Sequence, residues 1–283
     1  MRLTALSTII IGACCFTSCS NGGDAAKELV TNFFTAATDS TAGMKVKDIY
    51  PMYDSLHVEV KRDVLDFNDD IQKKGDTIIM SGQNSYTGTD GVFKQDSVKF
   101  YVAKNKDGNL TIVDSEGLIE TPSYLKDFAK QIGLKNFANQ DLKKSKEISE
   151  LAGFYQDKCF EAYIELRKGV KITYWDWETD YSNEPHGQAW IINNTGLTIY
   201  NVKYTVNYND RNGGFISSDT GTACSKLSPG EKYRFTFYTS HVKNPSTANI
   251  SLDFASSNVE NIVASKGYTL KDFKKYCKEQ NKK

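Results

Sequence analysis

The sequence predicts an α+β chain in which a helix-on-antiparallel-sheet domain is joined by a helical connector to an all-β sandwich. Three observations carry this. Apolar residues recur at helical spacing after Asp24, alternate with polar ones through three runs that end at Glu120, and alternate again from Val170 onward after a second long helical stretch. At 283 residues the chain exceeds the usual size of one core, so two domains are expected. Basic and acidic residues balance at 35 each, which gives no reason to expect a nucleic-acid partner. With 12% aromatic and 25% charged residues, the composition is globular.

The N-terminus reads first as an export signal. One Arg precedes an apolar run from Leu3 to Phe16. As a helix this run reaches only about 21 Å, short of the roughly 30 Å hydrocarbon core. Residues 1–18 are therefore a signal peptide and not a membrane span. Phe16, Thr17, Ser18 and Cys19 resemble the lipobox of bacterial lipoproteins, with Phe16 where Leu is usual. That resemblance implies cleavage before Cys19 and its lipidation, which anchors the mature chain to a membrane. More than one acyl chain holds a protein stably where a single one does not. Ser20 follows the cysteine, so no inner-membrane retention is implied. Residues 19–23 form a tether of about 12 Å reach.

Residues 24–120 form the first domain. Asp24 opens a helix with Leu29, Val30, Phe33, Phe34 and Ala37 at helical spacing. A second helix is expected from Pro51, with Leu56, Val60 and Val64 on one face. The strand-like runs DTIIMSGQNSYT, DSVKFYVAK and NLTIVDSEGLIE follow, the last two joined by the turn NKDGN. The pattern VTNFFTAA, then strands, then the closing KDGNLTIVDSEGL resembles the nuclear transport factor 2-like (cystatin-like) domains of exported Bacteroidetes lipoproteins. Their closing strand often carries a Trp where Leu110 stands here.

Residues 121–169 form the helical connector. Leu125, Phe128, Ala129 and Ile132 share one face before Gly133, and a longer helix runs from about Asp141 to Lys168 before Gly169. Residues 170–256 form the sandwich. Tyr200, Val202, Tyr204, Val206 and Tyr208 alternate with polar residues, Phe235 with Phe237 and Ile250, Leu252 and Phe254 continue the period, and NNTG, NDRNGG, SPGE and KNPS supply turns. The stretches AWIINNTGLTIYNVKYTVNYNDRNGG and LSPGEKYRFTF resemble the FxLYD domain, a small immunoglobulin-like module of exported bacterial proteins. Val206, Tyr208, Asn209 and Asp210 take its four named positions, with only the Asp literal. Residues 257–283 form a helical tail with Thr269 as its cap and Lys-rich at its end.

Catalytic and metal signatures are not found. His57, His186 and His241 lie far apart without ligand spacing, and Cys159, Cys224 and Cys277 form no CxxC pair. No nucleophile elbow, phosphate loop or dinucleotide turn is present, so no cofactor is expected. The stretch YWDWETDY is the one local constellation fit to bind a ligand. On a strand Trp175 and Trp177 share a face opposite Asp176 and Glu178, as a sugar platform with Tyr181 beside it, or as sandwich core with the acids in water. The resemblance to cystatin-like domains implies a pocket between helix and sheet, where enzymes of that class place an Asp, Tyr or His; Tyr86, Asp96 and His57 are the residue types available here, with Phe33, Phe34, Met80 and Phe100 to line or fill it.

The resemblance to Bacteroidetes lipoproteins also implies O-glycosylation at Asp, then Ser or Thr, then an aliphatic residue or Thr. Four triplets match: Asp39-Ser40-Thr41, Asp54-Ser55-Leu56, Asp76-Thr77-Ile78 and Asp96-Ser97-Val98, with Ser40 and then Ser97 best placed for access. Together these features point to an outer-membrane lipoprotein of the cell envelope, facing the periplasm or the surface. It is expected to act as a non-catalytic module for a protein or glycan partner. A small-molecule enzyme in the first domain and a structural spacer are the alternatives.

Overall fold

The computed structural model describes residues 22–38, 45–56, 64–88, 91–135 and 137–282. Cys19, Ser40 and His57 lie outside them. The chain divides into two compact units. One comprises the described residues up to Glu120 with Ala138–Lys146, and the other Thr121–Phe137 with the described residues from Glu147 on. Residues 121–169 therefore contribute to both.

In the first unit, helix α1 (Gly23–Thr38) packs on an antiparallel sheet of β1 (Val64–Lys74), β2 (Thr77–Thr87), β3 (Phe93–Lys104) and β4 (Leu110–Glu116), in the order β1-β2-β3-β4. Ala26, Val30, Phe33 and Phe34 line the buried stripe of α1 at the expected period. Met80, Val98, Phe100, Val102 and Ile112 meet it from the sheet. The turn between β3 and β4 closes because Asn105 Oδ1 accepts hydrogen bonds from the backbone of Asp107 (3.0 Å) and Asn109 (2.9 Å), with Gly108 at a φ of 84°.

The helix expected from Pro51 is corrected. A four-residue helix α2 (Val46–Ile49) precedes Pro51, and among the described residues a short 3-10 turn, Tyr53–Leu56, follows it, with Val60 outside them. Val64 opens strand β1, paired with Ser85. The expected helical face therefore does not extend to Val64. The true period of β1 was hidden by an irregularity between Phe67 and Ile71, where four residues of β1 span two of β2.

Several polar groups of the first unit point inward. The Tyr50 hydroxyl lies 3.3 Å from Ser115 Oγ, which donates to Asp141 Oδ2 at 2.9 Å. The same oxygen accepts the Leu118 backbone N–H at 2.8 Å. Asp141 opens helix α4 (Asp141–Gly169) and is fully buried, so desolvation raises its carboxyl above the usual range. Asn84 is also fully buried on the inner face of β2, with neither amide atom hydrogen-bonded.

In the second unit, helices α3 (Ser123–Gln131), α5 (Ser256–Ser265) and α6 (Leu270–Gln280) join the remainder of α4. Phe154 of α4 is their centre, with ring centroids 5.7 Å from Phe273, 5.4 Å from Tyr276 and 5.8 Å from Phe128. The α6 N-terminus is held as expected at Thr269, whose backbone N–H and hydroxyl both donate to Asp272 Oδ2.

The β part of this unit has two three-stranded antiparallel sheets. One runs β5 (Val170–Thr179), β6 (Pro185–Asn193), β9 (Lys232–Tyr238), and the other β10 (Thr247–Asp253), β7 (Ile199–Asn209), β8 (Phe215–Leu227). They face each other as a sandwich, with Tyr204 of β7 stacked on Phe235 of β9 at 5.0 Å. The NNTG and SPGE turns meet at Asn193, whose buried amide donates to the carbonyls of Leu197 (2.8 Å) and Leu227 (2.9 Å).

Candidate functional site

Strand alternation and register build a polar and aromatic grid on the outer face of the β5-β6-β9 sheet. Residues directly opposite across a ladder share a face. Tyr174 pairs with Trp190 and Trp190 with Arg234; Asp176 with Gln188 and Gln188 with Thr236; Glu178 with His186 and His186 with Tyr238. The intervening positions, Trp175, Ala189 and Phe235, then Trp177, Gly187 and Phe237, point into the sandwich. Gly187 is required there: a Cβ would lie 2.5 Å from the Phe237 ring and 2.3 Å from the Asp176 carbonyl.

The outer face holds an open depression of about 690 Å³, lined by Asp176, Glu178, His186, Gln188, Arg234, Thr236 and Tyr238, with Trp177, Gly187 and Phe237 of the intervening rung. Trp190 and Tyr174 flank it and are exposed. Asp176 Oδ2 accepts from the Tyr174 hydroxyl at 2.6 Å and from Gln188 Nε2 at 3.4 Å. His186 Nε2 sits 3.3 Å from Glu178 Oε1, and His186 Nδ1 is without a partner. The Tyr238 hydroxyl donates to Glu184 and, at 3.4 Å, to Asp180. Glu184 chiefly pushes the Tyr238 phenol up to about 12, and Asp176 raises that of Tyr174. Asp180 is held below the usual carboxylate range, chiefly by the Glu184 backbone N–H. Among the described residues, the Arg234 guanidinium, the Trp190 indole N–H and Asp176 Oδ1 make no hydrogen bond or ion pair.

The candidates from the sequence fall on different sides of this surface. Trp175 and Trp177 do share a face opposite Asp176 and Glu178, and that face is the inner one. Both are half-buried, and the Trp177 ring lies 6.1 Å from Tyr208 of β7. Tyr181 is fully exposed in the turn between β5 and β6. Trp190, Arg234 and Tyr238 were not singled out. Their strands become neighbours only through pairing, and no local motif marks them.

In the first unit the Tyr86 hydroxyl donates to Asp96 Oδ2 at 2.8 Å. The space between helix and sheet holds a cluster of rings: Phe33 lies 5.6 Å from Phe34, Tyr50 and Tyr53 and 6.3 Å from Phe100. Ser97 is exposed on β3 and accepts from Gln83 Nε2 at 3.2 Å. Cys159, Cys224 and Cys277 are not joined in disulfides, and burial pushes Cys224 up to about 11. Among the described residues no group of three or more His, Cys, Asp or Glu is arranged to hold a metal ion, and no helix is long and apolar enough to cross a membrane.

No protein-family model and no curated protein matches the chain. Among solved structures, it is similar to a DUF1425 family member from Shewanella sp. pv-4, at 13% identity and a TM-score of 0.24, over 30% of this chain and 78% of that one.

Proposed function

We propose that this chain is a lipid-anchored cell-envelope protein of the Bacteroidetes lipoprotein type, whose FxLYD-like sandwich binds a glycan of that envelope through the outer face of β5-β6-β9. The anchor rests on the lipobox-like Phe16-Thr17-Ser18-Cys19 at the end of the apolar run. The binding role rests on one observation. A single open sheet face carries an unpaired guanidinium, a carboxylate with an oxygen to spare and exposed rings, none of which the fold uses. Glycans need this combination, because their C–H faces pack on aromatic rings while each hydroxyl both donates and accepts.

The experiment is retention of the full acyl-free chain on polysaccharide extracted from its own envelope. Arg234→Ala should abolish retention, and equal retention of the variant would sink the reading. Retention that survives enzymatic removal of the polysaccharide would point instead to a protein partner. For the anchor, Cys19→Ala should stop incorporation of labelled fatty acid, and undiminished labelling would remove it.

A further inference from the structure

Resting on that reading, we infer that the ligand of the β5-β6-β9 face is an uncharged oligosaccharide, with one ring stacked on Trp190 and hydroxyls of successive sugars meeting Asp176 and Arg234. Three features carry this. The first is the stacking ring. Trp190 stands on the central strand, with the polar residues of all three strands around it. Trp175 and Trp177, on the other face of the same sheet, are directed into the sandwich.

The second feature is the sign of the charge. Asp176 and Glu178 line the depression, and Asp180 and Glu184 hold Tyr238 at its end. Of the basic groups lining the depression, His186 already faces Glu178, which leaves Arg234 to meet a ligand there, while Lys171 and Lys232 stand on the rung beyond Trp190, outside it. A uronate or phosphate would bring another negative charge among carboxylates. Neutral hydroxyls have no such penalty: one donates to Asp176 Oδ1 and another accepts from Arg234.

The third is extent. Asp176 and Arg234 stand on strands two apart, about 10 Å across the sheet, and Tyr238 pairs with His186, four residues and about 13 Å along β6 from Trp190. Both spans exceed one sugar ring, so the face suits a chain of sugars.

The test titrates the full chain with mannopentaose, cellopentaose and chitopentaose as neutral probes, and with hyaluronan and polygalacturonate tetramers as anionic ones, followed by tryptophan fluorescence and calorimetry. At least one neutral probe should bind saturably and the anionic probes should not. Trp190→Ala and Asp176→Asn should each weaken binding about tenfold, while Trp175→Phe should leave it unchanged. Circular dichroism checks that each variant is folded. Anionic probes that bind as well as the neutral ones overturn the ligand class, and so does the failure of all three neutral probes. Retention on envelope polysaccharide that depends on Arg234 would then still stand by itself. Neutral binding that is lost in Arg234→Ala but indifferent to Trp190→Ala overturns the stacking role.

Discussion

The two units place their polar groups in opposite ways. In the first, Tyr50, Ser115 and Asp141 are drawn inside and bonded to one another beneath a layer of rings. In the second, Arg234, Asp176, Trp190 and His186 stand on an open sheet face with donors and acceptors unspent. A buried polar group that loses its partner costs the full desolvation of what remains, whereas an exposed one falls back on water. The first set should therefore govern stability and the second set binding, and substitutions separate the two.

The largest effect is expected at Phe33, which is fully buried among four rings. Phe33→Ala should cost about 3–5 kcal/mol in denaturant unfolding of the first unit. It should leave glycan binding by the folded protein unchanged, and a loss of both together would erase the contrast between the units.

Asp141→Ala comes next. It leaves the Ser115 hydroxyl and the Leu118 N–H without their acceptor, for a loss of about 1–3 kcal/mol read as a lower urea midpoint. The same carboxyl sets a pH dependence. Because its folded value is raised above 3.8, the folded state holds the proton more tightly than the unfolded chain. Its favourable contribution is complete below 3.8 and is lost as pH rises through the raised value. Asp114, raised by the same burial, adds in the same sense. Urea midpoints taken from about pH 4 to about pH 7 should fall more in the wild type than in Asp141→Asn. Identical slopes would show that the carboxyl stays ionised when folded.

The smallest stability effect is expected on the outer face. Trp190→Ala and Arg234→Ala should each change the unfolding free energy by under about 0.5 kcal/mol, since neither side chain is buried. A larger loss on thermal unfolding would mean that this face is packed against something in the folded protein and is not an open site.

Much of this was legible in the sequence because it is written in short-range periods. The strands from Thr77 to Glu116, the turn at Asn105–Gly108, the limits of α3 and α4 and the cap at Thr269 follow from residues a few positions apart. So did the shared face of Trp175 and Trp177, which alternation alone dictates. Strand β1 was not legible, because its irregularity breaks the period of two and pairing with β2 then overrides the local pattern. The aromatic cluster around Phe154 was equally hidden, since it joins the connector to a tail more than a hundred residues away.

By itself, then, the sequence determined α1, the strands from Thr77 to Glu116, the connector helices and the alternating faces of β5 and β7, though not β1. It also determined the balance of charge and the lipobox-like FTSC at the end of the apolar run. Only the tertiary structure decided which face of β5 meets the second sheet, and so that Trp177 packs on Tyr208 while Asp176 looks outward. It also decided that Trp190 and Arg234, 44 positions apart, stand side by side. The physical reason is register. Alternation along a strand is a property of the backbone, but the choice of buried face and of ladder partner is settled by the apolar area that two distant segments remove from water together.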